Sequence, residues 1–254
     1  MRICLIGAGN LASQLGLVLA EKGHQVVQVW SKTSESAAKL AEKLNSSFTS
    51  AIGSLVSDAE IYILAVRDEA IEPLLASFPW GNKLVVHTAG SIPLSILAPY
   101  CQNFGVFYPF QTFTKEKKVD FNQVPVCIEA NTSQNLEILD QLGRSVSENV
   151  RHLDSPQREQ IHLAAVFACN FTNQFYVIAK ELMNEKKIDF DIIKPLILET
   201  AHKAVNQNPE QSQTGPAIRN DIKVMEKHLR MLAGYADLQN LYKQISQRII
   251  QTHK

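Results

Sequence analysis

Near its start the chain carries a short aliphatic run, Ile3-Cys4-Leu5-Ile6, that breaks into Gly7-Ala8-Gly9-Asn10-Leu11-Ala12. After it, apolar residues recur at helical spacing, at Leu11, Leu15, Val18 and Leu19. A G-x-G-x-x-A sequence in that setting constrains the fold more than any other feature of the chain. The first glycine permits a tight strand-to-helix turn, and the second lets the backbone approach a pyrophosphate. Ala12, small like the usual third glycine, lets the helix pack close to a sheet. The amides at the helix start would then bind the anion, which makes Gly7, Gly9, Asn10 and Leu11 candidate dinucleotide contacts. The alternative is a glycine turn that only joins two elements.

The helix stops at Gly23, and residues 25–30 form a second strand, followed by a helical stretch over 34–44. Residues 61–66 and 83–87 are nearly continuous apolar runs, as expected of strands covered by helices on both faces. Later strands are expected over 104–110, 124–128 and 145–150. This pattern implies an α/β fold, a Rossmann-type doubly wound and mostly parallel sheet. The texture changes at Leu153-Asp154-Ser155-Pro156, where Ser155 can cap a helix and Pro156 can occupy its first position. One apolar-periodic helix then covers 157–184. Further helices follow over roughly 190–206 and 222–252, with a Pro- and Gln-rich loop between them. The expected domains are 1–155, α/β, and 156–254, all-helical.

Composition narrows the function classes. Lys plus Arg and Asp plus Glu stand at 25 each, so no net field attracts nucleic acid. The four cysteines, Cys4, Cys101, Cys127 and Cys169, form no CxxC pair, which argues against a disulfide scaffold or a structural metal site. The apolar run at the N-terminus is too short for a signal peptide, and no uninterrupted run reaches the ~18–20 apolar residues of a membrane span. The expectation is a cytoplasmic protein with no membrane or nucleic-acid partner and no metal.

The end of the second strand decides which dinucleotide fits. It reads Val29-Trp30-Ser31-Lys32-Thr33-Ser34, with no acid until Glu35 to hold a ribose hydroxyl. Ser31, Lys32 and Thr33 suit a 2′-phosphate instead, so the reading favours NADP over NAD, unless this is only a solvated loop entering a capped helix. Two further loops follow strands on the side where ligands collect in such sheets. Ala65-Val66-Arg67 is small enough at its start to pass a nucleotide, and His87-Thr88-Ala89-Gly90-Ser91 could line a nicotinamide pocket.

The helical half holds the other polar groups. His162 and Asn170 lie eight residues apart, about two turns. The neighbours of Asn170 are apolar, so it is expected to be buried, either as a site residue or as a core amide bonded to nearby backbone. Thr214-Gly215-Pro216-Ala217-Ile218-Arg219-Asn220-Asp221 reads as a helix start capped by Asn220 or Asp221, or as a loop in which Arg219 clamps an anionic substrate group. His228 is most simply a surface or core histidine.

Together the G-x-G-N-x-A start, Ala65-Val66-Arg67-Asp68, Tyr108-Pro109-Phe110-Gln111-Thr112-Phe113, the His162-to-Asn170 helix and the Gly215-Pro216-x-x-Arg219-x-Asp221 element resemble one family. These are bacterial NADP oxidoreductases that join an N-terminal Rossmann domain to a C-terminal helical domain of unknown function. More distantly the chain is similar to pyrroline-5-carboxylate reductases and the 6-phosphogluconate dehydrogenase superfamily, which bind NADP on the first domain and dimerise through the second. The chain departs from these relatives at two places. The superfamily's 3-hydroxyacid dehydrogenases carry a Lys four residues before the helix Asn, where this chain has Val166, and Tyr108 replaces a usual His.

The resemblance implies the NADP cofactor and the two-domain architecture but fixes no substrate, and with the residues above it gives the reading of an NADP-dependent oxidoreductase that moves a hydride between NADP(H) and a small carbonyl or imine substrate. His162 would pass the proton, Asn170 would bond the reduced group, and Arg219 would orient an anionic group. Ala65, Val66, Arg67 and Thr88 would complete the cofactor site, and a homodimer would form through the helical domain. The alternatives are a pyrroline-5-carboxylate-type imine reductase and a non-catalytic NADP-binding sensor or assembly module.

Overall fold

A computed structural model describes residues 1–114 and 119–253. The chain forms two compact units, Met1–Thr172 and Asn173–Lys254.

The first unit is built on one eight-stranded sheet in the order β3-β2-β1-β4-β5-β6-β7-β8. Its strands are β1 (Arg2–Ile6), β2 (Gln25–Trp30), β3 (Ser47–Thr49), β4 (Ile61–Leu64), β5 (Leu84–His87), β6 (Asn103–Pro109), β7 (Val126–Ala130) and β8 (Val150–His152). All neighbours pair in parallel except β6 and β7. The helices are α1 (Asn10–Glu21), α2 (Ser34–Leu44), α3 (Asp68–Ala76), α4 (Ser133–Val146) and α5 (Ser155–Ala165).

Strand periodicity divides the core into two layers, because successive side chains point to opposite faces. Ile3, Leu5, Ile63 and Val86 join Leu15 and Leu19 of α1 and Leu139 and Leu142 of α4. Cys4, Ile6, Tyr62, Leu64 and Val85 face the other way, toward Ile71 and Leu75 of α3 and the fully buried Trp80. The strand order reverses beside β1, so the turns after β1 and β4 open on one crevice at the carboxyl ends of the strands.

Two sequence expectations change, and the long helix expected over 157–184 is found with a π-helical segment inside it. The strand expected over 145–150 begins at Val150 instead, because α4 runs on to Val146 and is capped at its start by Thr132, whose side chain accepts from Asn135 N. The cap of α5 is Asp154, not Ser155. Its carboxylate accepts from Gln157 N at 2.8 Å and Gln157 Oε1 accepts from Asp154 N at 3.1 Å, a reciprocal capping box. Ser155 is thereby freed to accept from Leu94 N at 2.9 Å and to donate to Glu129 at 2.8 Å. Finally, α5 continues without a break through a π-helical segment, Val166–Phe171, into α6 (Thr172–Glu185). This 31-residue helix is long and apolar enough to cross a membrane by length and composition alone, although no uninterrupted apolar run announces it.

The expected domain boundary at 155 marks the end of the sheet, whereas the first unit extends to Thr172. The reason lies in Arg158, whose side chain is only 1 % exposed. Its guanidinium donates to Glu129 of β7, to the Ile92 carbonyl and to Ser155, so the start of the long helix is bound to the sheet.

The second unit comprises the rest of α6 from Asn173, a 3₁₀ turn (Phe190–Ile193), α7 (Lys194–Asn206), α8 (Ile222–Met231) and α9 (Ala236–Thr252). The stretch expected as one helix over 222–252 breaks at Leu232, which terminates α8. Asp221 caps α8 by accepting from Val224 N at 3.2 Å. His228 of α8 meets the Tyr242 hydroxyl of α9 at 2.8 Å, which ties the two helices together.

Candidate active site

The site begins with the β1–α1 turn. Gly7 has φ +128°, and a Cβ there would stand 2.1 Å from the Ala65 carbonyl oxygen, so only glycine fits between β1 and the end of β4. Gly7 N donates to Trp30 O at 2.8 Å, and Ala65 N donates to Ile6 O at 2.7 Å. Gly9 is different: a Cβ there would meet nothing within 4 Å, so the backbone faces open space. Gly9 also supplies the N-cap of α1 without any side-chain cap, and no acid stands in the first turn. Ala12 is fully buried, which lets α1 lie close to the sheet. An uncapped helix start with free amides and an open approach is an anion site.

At the end of β2, Ser31 is half-buried and Lys32 is exposed, with no ion pair to Lys32 among the described residues. Thr33 turns away as the N-cap residue of α2 and donates to Ser36 Oγ at 2.8 Å. At the end of β4, Ala65 is buried, Val66 is half-buried, and Arg67 pairs with Glu69 at 2.9 Å. Ser91 donates to the Asp68 carboxylate, which links the β5 loop to the start of α3.

These pieces line one cleft of about 810 Å³, together with Trp30, Thr88, Gly90, Tyr108 and His162. Gly7, Gly9, Asn10, Leu11, Ser31, Lys32, Ala65, Val66, Arg67, Thr88 and His162 are thus brought together, and Thr33 is not among the lining residues. At the cleft wall the Tyr108 hydroxyl of β6 lies 3.1 Å from His162 Nδ1 of α5. Burial, with Cys127 and Asp68 adding to it and Arg158 opposing, pushes the Tyr108 phenol up to about 12. The residues fit a dinucleotide: a phosphate cradle behind Gly9, a cation without a competing acid after β2, and small residues after β4.

The comparisons agree with this geometry. Residues 2–90 match the family described as NADP oxidoreductase coenzyme F420-dependent. Residues 124–249 match a domain of unknown function, DUF2520. The crystal structure of BF3122 from Bacteroides fragilis, described as an NADP oxidoreductase, superposes with a TM-score of 0.93 at 43% identity over 98% of both chains. The chain belongs to this family of NADP oxidoreductases. Protein TM1727 from Thermotoga maritima follows at a TM-score of 0.76, with 21% identity over 99% of this chain and 98% of that one. A 1-pyrroline-5-carboxylate reductase from Streptococcus pyogenes is similar at 0.67 and 16% identity over 99% of this chain and 98% of that one. At those identities the likeness is one of fold. None of the curated proteins compared with the chain matches it.

In this oxidoreductase two expected site residues besides Thr33, His87 and Asn170, do not line the cleft. His87 does not line the cleft: it is the last residue of β5, is fully buried, and accepts from Ala89 N at 3.2 Å through Nδ1. Burial, together with the nearby Arg158 cation, lowers it to about 3, so it is a neutral core imidazole. Thr88, one position on, faces the cleft and donates to Leu64 O at 3.2 Å. Asn170 was expected to be buried but is exposed, within the π-helical segment. Its apolar neighbours Phe167 and Phe171 are themselves 63% and 47% exposed, so an apolar surrounding in sequence did not mean a core. Arg219 belongs to the second unit, where it is exposed beside the positive-φ Asn220 and the Asp221 cap.

Tyr108 is a polar cleft residue to which sequence reasoning assigned no role. Its signal in the sequence was its place in the stretch Tyr108–Phe113 that carries the family resemblance, where the usual family version begins with His.

Proposed function

We propose that this oxidoreductase reduces a small carbonyl or imine compound with NADPH held in the cleft of the first unit. The observation that carries this reading is the uncapped, open start of α1 behind Gly7 and Gly9, with Lys32 and no acid at the end of β2. A bound NADPH supplies a hydride to the acceptor carbon. The chain's part is to hold the pyrophosphate on the α1 amides, the 2′-phosphate on Ser31 and Lys32, and a titratable group, His162, beside the reacting end. The neutral small residues Ala65, Thr88 and Ala89 shape the surface between them.

The imine alternative is supported by the fold likeness to reductive aminase and pyrroline-5-carboxylate reductase structures at 14% and 16% identity. Proline formation from pyrroline-5-carboxylate would single out that branch.

A homodimer through the helical unit accompanies this reading. Ile192, Leu196, Leu198 and Val205 are 71%, 63%, 61% and 82% exposed, more apolar surface than a soluble monomer ordinarily leaves bare. Light scattering at micromolar concentration should return twice the chain mass, and a monomer would remove the claim.

The central test is a calorimetric titration. Micromolar NADPH binding with much weaker NADH binding supports the reading, and a protein that binds neither overturns it.

A further inference from the structure

We propose that Tyr108 is the residue that hands the proton to the reduced substrate, with His162 behind it as the group that restores the phenol. The inference rests on the reductase reading above and assigns that site a catalytic residue it does not yet have.

The argument starts from Gly90. A Cβ at this position would stand 2.6 Å from His162 Nδ1 and 2.8 Å from both Cζ and the hydroxyl of Tyr108. The imidazole and the phenol therefore meet directly over the Gly90 backbone, in a space that any other residue would fill. Their hydrogen bond is 3.1 Å, and the rings approach edge-on with centroids 6.3 Å apart. Phe110 supports the phenol from the side at 6.0 Å between centroids. Tyr108, His162 and Gly90 all line the cleft that holds the Gly7–Gly9 turn and Thr88.

This arrangement orders the two groups. His162 Nδ1 is committed to the Tyr108 oxygen, so a proton held there reaches the cleft through the phenol. When Nδ1–H donates to that oxygen, the phenol's own O–H is free to point at an acceptor, since a tyrosine hydroxyl both accepts and donates. A phenol raised by burial keeps its proton until a strongly basic atom arrives beside it. Reduction of C=N or C=O generates such an atom, as the π electron pair moves onto nitrogen or oxygen.

The proton balance is as follows. The Tyr108 O–H bond breaks and an N–H or O–H bond forms on the product. The Nδ1 proton of a His162 imidazolium then passes to the phenolate oxygen, which leaves neutral imidazole to be recharged from solvent. The phenolate formed in passing lies near the buried Arg158 cation, which stabilises it, while Asp68 acts against it. Glu129, which holds Arg158, moderates the first effect.

The test uses Tyr108→Phe, which keeps the ring and removes only the hydroxyl, together with His162→Ala and the double variant. In ligand-free protein, the ¹⁵N resonance of His162 Nδ1 should move in Tyr108→Phe. NADPH affinity by calorimetry should stay within about twofold, because the phenol is placed at the proton-transfer end of the cleft. With 2-methyl-1-pyrroline and butanal as acceptor probes, kcat should fall at least ~100-fold in each single variant, and little further in the double, as expected of two groups on one proton path. Gly90→Ala, whose methyl pushes the pair apart while both side chains remain, should reproduce both the resonance shift and the loss in kcat.

An unmoved Nδ1 resonance, or kcat retained in Tyr108→Phe but lost in His162→Ala, would overturn the assignment and leave His162 as the direct donor. A loss confined to KM would overturn it as well. A wild-type protein that binds NADPH yet oxidises it with neither probe overturns the reductase reading, and this proposal with it.

Discussion

The guanidinium of Arg158 on α5 is buried against the carboxylate of Glu129 on β7, with the arginine side chain 1 % exposed and the glutamate 17%. The pair joins the start of the long helix to the antiparallel end of the sheet. Four residues further along α5 stands His162, so the same contact that closes the fold also delivers the imidazole to the wall of the cleft.

Breaking that pair from one side should cost stability heavily. Arg158→Met leaves the Glu129 carboxylate half enclosed without its partner, and the loss of one member of a buried ion pair is typically worth about 3–5 kcal/mol. Urea unfolding of the variant should show a loss of that order, and the His162–Tyr108 hydrogen bond should weaken with it. A loss below about 1 kcal/mol would mean that water reaches the pair and that the anchor lies elsewhere.

The two glycines of the β1–α1 turn should separate folding from binding. Gly7→Ala places a methyl 2.1 Å from the Ala65 carbonyl at φ +128°, so the variant should be destabilised by several kcal/mol or fail to fold. Gly9→Ala meets nothing within 4 Å and should melt close to the wild type, yet bind NADPH at least ~10-fold more weakly, because its methyl occupies the approach to the α1 amides. Equal effects of the two on melting temperature would contradict this division of roles.

Cofactor preference should reside in Lys32. Its ammonium is exposed and carries no ion pair among the described residues, so a phosphate meets no competitor there. Lys32→Ala should weaken NADPH by about tenfold or more, the worth of a charge-assisted bond, and leave NADH binding almost unchanged. Parallel losses for both nucleotides would place the 2′-phosphate somewhere else.

His87 predicts the acid side of the stability curve. Its folded value is lowered to about 3 by burial and the Arg158 cation, whereas an unfolded histidine titrates near ~6.5. The unfolded chain therefore binds the proton first, and stability present above pH ~6.5 is lost as pH falls through the window down to about 3, by up to about 1.4 kcal/mol per unit. Urea midpoints at pH 7, 6, 5 and 4 should show this slope, and His87→Asn should flatten it. An identical slope in the variant would assign the acid sensitivity to carboxylates.

Much of the first unit can be read along the chain because its information is local. The apolar run before Gly7, the helical spacing after it and the nearly continuous apolar runs of β4 and β5 are each local signals. The strand expected over 145–150 went astray, and the helical stretch expected over 222–252 was left undivided, where local signals compete. The polar–apolar alternation Ser145-Val146-Ser147 at the end of α4 reads equally well as strand, and the break from Leu232 to Tyr235 occupies only four residues before α9 begins at Ala236.

The glycine turn and the absence of an acid after β2 are properties of neighbouring residues, so the sequence by itself determined that turn and the family. The proton path belongs to the tertiary structure. Tyr108 and His162 are 54 residues apart and touch only because β6 lies beside β5, because Gly90 leaves a gap, and because Arg158 pins α5 to β7. Likewise, no pattern in the chain distinguishes His87 from Thr88. One step along a strand reverses the side-chain direction, and the sheet's burial then makes one a neutral core group and the other a wall of the cleft.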